Sequence, residues 1–308
     1  MTCGTFAGAH IYAARRNSRT MSNGVNPACF KRVTNFSRES TSSNSAINTT
    51  LLHRSKAWVL APLSSWRGAP LGEITPEISV LVSSTMRTSA ALRCAFFACR
   101  LNLGVECIDV FYLHNPETQL GEVSRDEFRR RIAEAFEFLE SAVAARKISA
   151  YGLATWNAFR EDSKSQGHLS LASIEEIARE AGGAEHHFRF VQLPLNLAMP
   201  EALVRANQVV EGKTMAMVQA ARALKVTLVT SAALLQGQLT RNLPKYIGEA
   251  LGLKKDSVSA LQFARSVPGV TTTLAGMSSV EHVRANLEVI GMEPAPRDQF
   301  LKLFEKRN

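Results

Sequence analysis

Residues 107 to 117, CIDVFYLHNPE, carry an apolar run into a histidine and then a proline turn. Histidine changes charge near neutral pH, so His114 at a strand end could polarise a carbonyl or pass a proton. Taken alone, the residue reads first as a strand-end histidine facing water. Downstream, other strand-like runs also end on or beside small or polar side chains. Thr155 follows 148 to 154, Gln192 lies within 188 to 194, Ser231 lies near the end of 226 to 232, and Gly276 follows 270 to 275. In a barrel of alternating strands and helices these strand ends open onto one face, where side chains from separate strands converge on a substrate.

The elements that would hold them alternate regularly. Strand periodicity occurs at 107–113, 148–154, 188–194, 226–232 and 270–275, and helical periodicity at about 126–145, 170–181, 213–224, 257–266 and 279–290. Ser124, Ser170 and Ser278-Ser279 stand where helix N-caps belong. Strands separated by amphipathic helices imply a parallel α/β sheet. Periodicity alone leaves two forms of it, a doubly wound sheet and a closed barrel. The first, with a dinucleotide, calls for Gly-x-Gly-x-x-Gly after its first strand, which the sequence lacks. Gly212-Lys213-Thr214 is no phosphate loop, since Asn207 stands where the first glycine is needed and no strand precedes it.

A formal net charge of +9 would suggest nucleic acid if it covered a folded surface. It does not: residues 1–72 hold nine of the 36 Lys/Arg and one of the 27 Asp/Glu, leaving 27 against 26 for the remainder. The body therefore offers no basic face for phosphates, and no apolar run reaches the length of a membrane span. Residues 1–50 are rich in Ser, Asn and Arg and nearly free of acids, a composition shared by organelle transit peptides and by unstructured termini with no address. The expected organisation is a divergent segment 1–50 followed by a barrel domain 51–308, soluble and either cytoplasmic or organellar.

Five cysteines without a CxxC pair support neither a disulfide framework nor a zinc ribbon. Cys94, Cys99 and Cys107 read as small core residues. His186 and His187, adjacent on a strand, would point to opposite faces and could not share one metal ion.

The order of these segments resembles the aldo-keto reductase superfamily. LGVECIDVFYLHNP (103–116) is similar to the family segment whose histidine polarises the substrate carbonyl. KISAYGLATW (147–156) is similar to its "GVSN" strand, with Ala154 and Thr155 where Ser-Asn hold the nicotinamide amide. FVQLPLNL (190–197) places Gln192 at the other amide contact, VTSAALLQGQL (229–239) resembles the strand ending "YSPL", and residues 261–287 resemble the final segment, with Asn286 on its adenine-contacting asparagine.

The resemblance covers about residues 100–292. It implies a (β/α)8 TIM barrel, with room for an incomplete or distorted set of N-terminal strands, taking NADPH across its mouth, NADH being left open. The implied reaction is hydride transfer to a small-molecule aldehyde or ketone. His114 would be the catalytic residue; Thr155, Gln192, Ser231, Gly276 and Asn286 would bind cofactor, and His282 falls where an arginine often meets the 2′-phosphate.

The sequence departs from the family at two cofactor contacts, Ser231 standing where an aromatic stacks on nicotinamide and Gly276 where a lysine often pairs with the 2′-phosphate, and in the N-terminal part. Its aspartate and proton-donating tyrosine align weakly with Asn44 and Thr49, with Gly24-Val25-Asn26 as a poorer anchor, and Pro62 stands roughly at its lysine. Threonine cannot replace a phenol as the acid, and a positioned acid contributes about 10² to 10⁴ in rate. Tyr112 reads as barrel filling and Tyr246 as a loop residue. The alternative to an enzyme is therefore an inert barrel that binds nucleotide or a partner. Early strands are expected at 57–61 and 78–83, before a helix near 88–103.

Overall fold

The computed structural model describes residues 9–13, 57–60, 78–83, 89–103 and 105–305. The alternation seen in the sequence becomes, in chain order, β1 (Ala9–Ala13), β2 (Ala57–Leu60), β3 (Ile78–Ser83), α1 (Ser89–Leu103), β4 (Ile108–His114), α2 (Arg125–Ala144), β5 (Ile148–Ala154) and α3 (Leu171–Gly182). It continues with β6 (Phe188–Pro194), α4 (Glu201–Val204), β7 (Ala206–Val210), β8 (Lys213–Ala216), α5 (Met217–Ala223), β9 (Thr227–Ser231), α6 (Lys245–Leu251), α7 (Asp256–Ser266), β10 (Val270–Gly276), α8 (Val280–Leu287) and α9 (Arg297–Leu301).

Eight strands form one sheet in the order β1-β3-β4-β5-β6-β9-β10-β2. The six from β3 to β10 are parallel, and helices follow or separate them, as in a (β/α)8 barrel. The two outer places are filled by antiparallel strands, β1 on β3 and β2 on β10, and among the described residues no ladder joins β1 to β2. The fold is thus a (β/α)8-type barrel that is irregular in its N-terminal strands.

β2 confirms a strand at 57–60 but reverses its direction. Gly276 pairs with Ala57 and Thr273 with Leu60, so β2 runs antiparallel to β10. Pro62, aligned with the family's lysine, lies outside the described residues. So do Asn44, Thr49, Gly24-Val25-Asn26 and most of the basic N-terminal segment.

Each face of the sheet has its own apolar set, because strand side chains alternate. Phe111, Leu113, Tyr151, Leu153, Val191, Leu193 and Leu228 face the helices and join Ile132, Phe136 and Leu139 of α2 and Ile174 and Ile177 of α3 in the main core. Val110, Tyr112, Ala150, Ala154, Phe190, Val229 and Leu274 form the other cluster, the barrel interior. In α2 the buried residues Phe128, Ile132, Phe136 and Leu139 recur at helical spacing, and burying each such side chain contributes about 1.5–3 kcal/mol.

Three serines cap helices: Ser124 accepts from Glu127 N, Ser170 from Ser173 N and Ser279 from His282 N. The segment 213–224 is not all helix. Its first four residues form β8, which pairs with β7 through a turn at Glu211 (φ 50°) and Gly212 (φ 73°); contrary to expectation a strand does precede Gly212-Lys213-Thr214, which is a hairpin turn running into a second strand. Gly152 marks a close approach in the interior: a Cβ there would lie 2.1 Å from the carbonyl oxygen of Phe190, at the register shift between β5 and β6.

Of the cysteines expected in the core, only Cys99 is there; Cys94 and Cys107 are exposed. Cys94 lies on the outer side of α1, and Cys107 precedes β4 with its thiol 3.6 Å from Ser149 Oγ. Among the described residues no helix is long and apolar enough to cross a membrane.

Candidate functional site

The parallel ladders bring the strand ends into one row. Ser83 pairs with His114, His114 with Ala154, Ala154 with Gln192, Gln192 with Val229 and Val229 with Thr272. Register partners point to the same side of a sheet, so His114 and Gln192 share the interior face with Ala154 between them. Tyr112, two residues below His114, is filling as expected: it is buried and meets Phe190 edge-to-face at 6.3 Å.

Asn115 takes a left-handed conformation (φ 49°, ψ 46°) and starts a 3-10 turn, Pro116–Gly121. Its N–H still reaches back to Ala154 O at 2.6 Å, while its own carbonyl accepts from Thr118 N and Oγ1. Thr155, the residue after β5, donates its N–H to Gln192 O at 2.9 Å. Among the described residues its buried hydroxyl has no hydrogen-bond partner.

Glu117 turns its side chain inward and accepts from Trp156 N at 2.9 Å with Oε1. The residue is 7% exposed, and Oε2 is buried without a partner among the described residues. Burial pushes this carboxyl above the usual carboxylate range, against the pull of the backbone N–H groups at Trp156, Asn157 and Ala158.

The other expected residues occupy two further places on the same rim. Ser231 ends β9 level with Pro194, half-buried, and its carbonyl accepts from Leu195 N. Gly276 ends β10 exposed, and Asn286 of α8 is buried with its amide donating to Gly276 O at 3.3 Å. His282 sits in the first turn of α8 with Nδ1 3.0 Å from Ser278 Oγ. The structure therefore groups His114, Thr155 and Gln192 on three adjacent strands, with Gly276 and Asn286 as a second pair.

No tyrosine of the described residues stands at the level of His114. Tyr12 pairs with Ser79, which pairs with Val110, four residues below His114. Tyr151 faces the helices and donates to Glu140 Oε1 at 2.9 Å, and Tyr246 lies on α6 against the outer core. His186 and His187 turn to different carboxylates, Glu175 and Glu140. Among the described residues no group of three or more His, Cys, Asp or Glu is arranged to hold a metal ion.

Two organising residues carried no obvious signal in the sequence. Asn196, fully buried after β6, donates to Ala232 O and accepts from Ala198 N and Met199 N, tying the end of β6 to that of β9. Arg160 binds Glu201 at 2.6 Å, Trp156 O and Asn157 Oδ1, fixing the loop after β5. Isolated polar residues in loops look alike in sequence whether they face water or organise a turn.

Neither a family model nor a curated protein matches the chain. Solved structures do. An aldo-keto reductase from Klebsiella pneumoniae in complex with NADPH is similar at TM-score 0.51 and 17% identity, over 73% of this chain and 68% of that one. The aldo/keto reductase from Klebsiella pneumoniae in complex with NADP and acetate gives 0.50 and 17%, over 74% and 71%. A putative 2,5-diketo-D-gluconic acid reductase B gives 0.50 and 16%, over 72% and 64%. At these identities the likeness is one of fold: the chain has the fold of the aldo-keto reductases.

Proposed function

We propose that this barrel is an NADPH-dependent oxidoreductase that reduces an aldehyde or ketone. The observation that carries the reading is the row His114–Ala154–Gln192 across three neighbouring strand ends, with Thr155 next along the chain after Ala154, its hydroxyl buried and without a partner among the described residues. A buried hydroxyl with nothing to bond is costly unless a ligand supplies the partner, and an amide such as that of nicotinamide does so.

When bound, NADPH supplies a hydride. The residues of this chain would hold and orient it: Thr155 and Gln192 would take the amide, Ser231 would serve the nicotinamide end, and Gly276 and Asn286 would take the adenosine end. His114 donates a hydrogen bond to the substrate carbonyl, which draws electron density onto oxygen as the carbon is reduced. The interior below this row is closed by Tyr112 and Phe190, with Val229 level with Gln192, so a carbonyl held there would lie over apolar filling. The neighbours found with NADP or NADPH support the choice of phosphorylated cofactor.

A second reading, an inert barrel that binds nucleotide without reducing anything, draws support from the tyrosines. Among the described residues, none stands where it could protonate a carbonyl held by His114. Titrating the purified protein with NADPH, then following NADPH oxidation against aldehydes such as 4-nitrobenzaldehyde, separates the two. Binding with turnover supports the reductase, binding without turnover supports the inert barrel, and no binding removes both.

A further inference from the structure

Glu117 has no role in the scheme above, yet it is built into the rim. In a parallel ladder, Trp156 N–H would bond to the carbonyl of Asn115, completing the rung that begins with Asn115 N–H on Ala154 O. It cannot, because Asn115 is left-handed and its carbonyl is taken by Thr118. The Glu117 carboxylate supplies the missing acceptor at 2.9 Å. The β4–β5 ladder is thus extended by one rung through a side chain, with Thr155 lying between the last backbone rung and this one.

An apolar residue would fill the same space without desolvating a carboxyl, one of whose oxygens has no partner among the described residues, but it would leave Trp156 N–H without its acceptor. Stability asks only for an acceptor to Trp156 N–H, which a neutral amide of the same reach would also supply. We propose that Glu117 is a positioning residue for cofactor binding: by holding Trp156 N–H it fixes the end of β5 and presents the Thr155 hydroxyl to the cofactor amide. The inference rests on the proposed NADPH-binding function. Glu117 acts through Thr155 and touches neither cofactor nor substrate.

The test measures NADPH affinity by fluorescence titration for wild type, Glu117→Ala, Glu117→Asp, Glu117→Gln and Thr155→Ala, alongside thermal melting. Glu117→Ala is expected to bind NADPH about 10-fold to 100-fold more weakly, the span of a lost hydrogen bond to a charged group. Glu117→Gln keeps an acceptor of the same reach and is expected to restore binding. Glu117→Asp, one methylene short, should weaken it and serves where the alanine variant does not fold. In the Thr155→Ala background, Glu117→Ala or Glu117→Asp should add little further loss, since both changes break one contact. A folded Glu117→Ala or Glu117→Asp protein binding NADPH like wild type overturns the proposal and leaves the proposed function standing. So does a fully additive double variant, which would mark a general structural effect. Wild-type protein that binds no NADPH overturns the proposed function and this inference with it.

Discussion

His114 and Ala154 are register partners on adjacent parallel strands, and the N–H of the residue after His114 donates to the Ala154 carbonyl at 2.6 Å. The imidazole is thereby fixed one strand away from Thr155 and two from Gln192. That spacing suits a group that orients a substrate while its neighbours hold a cofactor.

Replacing His114 should therefore separate chemistry from binding. His114→Ala is expected to lower carbonyl reduction by about 10² or more while NADPH affinity stays near wild type. Steady-state rates with direct NADPH titration check this. Full turnover in the variant would remove His114 from the chemistry.

Gly152 is expected to tolerate no side chain. A Cβ would meet Phe190 O at 2.1 Å and its Cβ at 2.9 Å, and backbone cannot swing aside as a flexible side chain can. Gly152→Ala should destabilise the fold by about 1–3 kcal/mol or more, read from the urea midpoint. An unchanged midpoint would show that β5 and β6 are farther apart than described.

Glu140 joins α2 to β5 and β6 by accepting from Tyr151 Oη, His187 N and His187 Nδ1. Burial pushes its carboxyl up, but these three contacts outweigh burial and hold it below the ordinary range. A carboxyl lowered on folding stabilises the fold above its unfolded pKa of about 4.3 and loses that contribution as pH falls through the lowered value. Glu140→Gln should therefore melt below wild type at neutral pH, with the gap narrowing as pH drops below about 4. Melting curves across that range check it, and a constant gap would contradict the assignment.

The thiols should divide by exposure. Burial pushes the Cys99 thiol up to about 11, whereas Cys94 and Cys107 are exposed. Brief maleimide labelling of the native protein, mapped by peptide mass, should modify Cys94 and Cys107 and spare Cys99 until denaturant is added. Early labelling of Cys99 would show that α1 opens readily.

The parts legible in the sequence were those set by periodicity. β5 and β6 match their expected bounds, and β4, α2 and α3 fall within a residue of theirs, because apolar spacing and serine caps act locally. The β7–β8 hairpin was hidden because Lys213 to Ala216 continue the apolar spacing of α5, while the turn depends on two left-handed residues. The reversed direction of β2 was equally hidden, since a short apolar strand reads the same in either sense. Glu117 is the instructive case at the site. Its sequence context shows an acid after His-Asn-Pro, but its role depends on the left-handed turn at Asn115 that leaves Trp156 N–H without a backbone acceptor.

The central claim is hydride transfer at the row led by His114. Single-turnover mixing of the wild-type protein with NADPH deuterated at the transferable position and 4-nitrobenzaldehyde tests it most directly. The expected result is 4-nitrobenzyl alcohol carrying one deuterium on its carbinol carbon, formed as NADPH is consumed. Saturable NADPH binding with no deuterated alcohol would contradict the claim and leave a nucleotide-binding barrel without reductase chemistry.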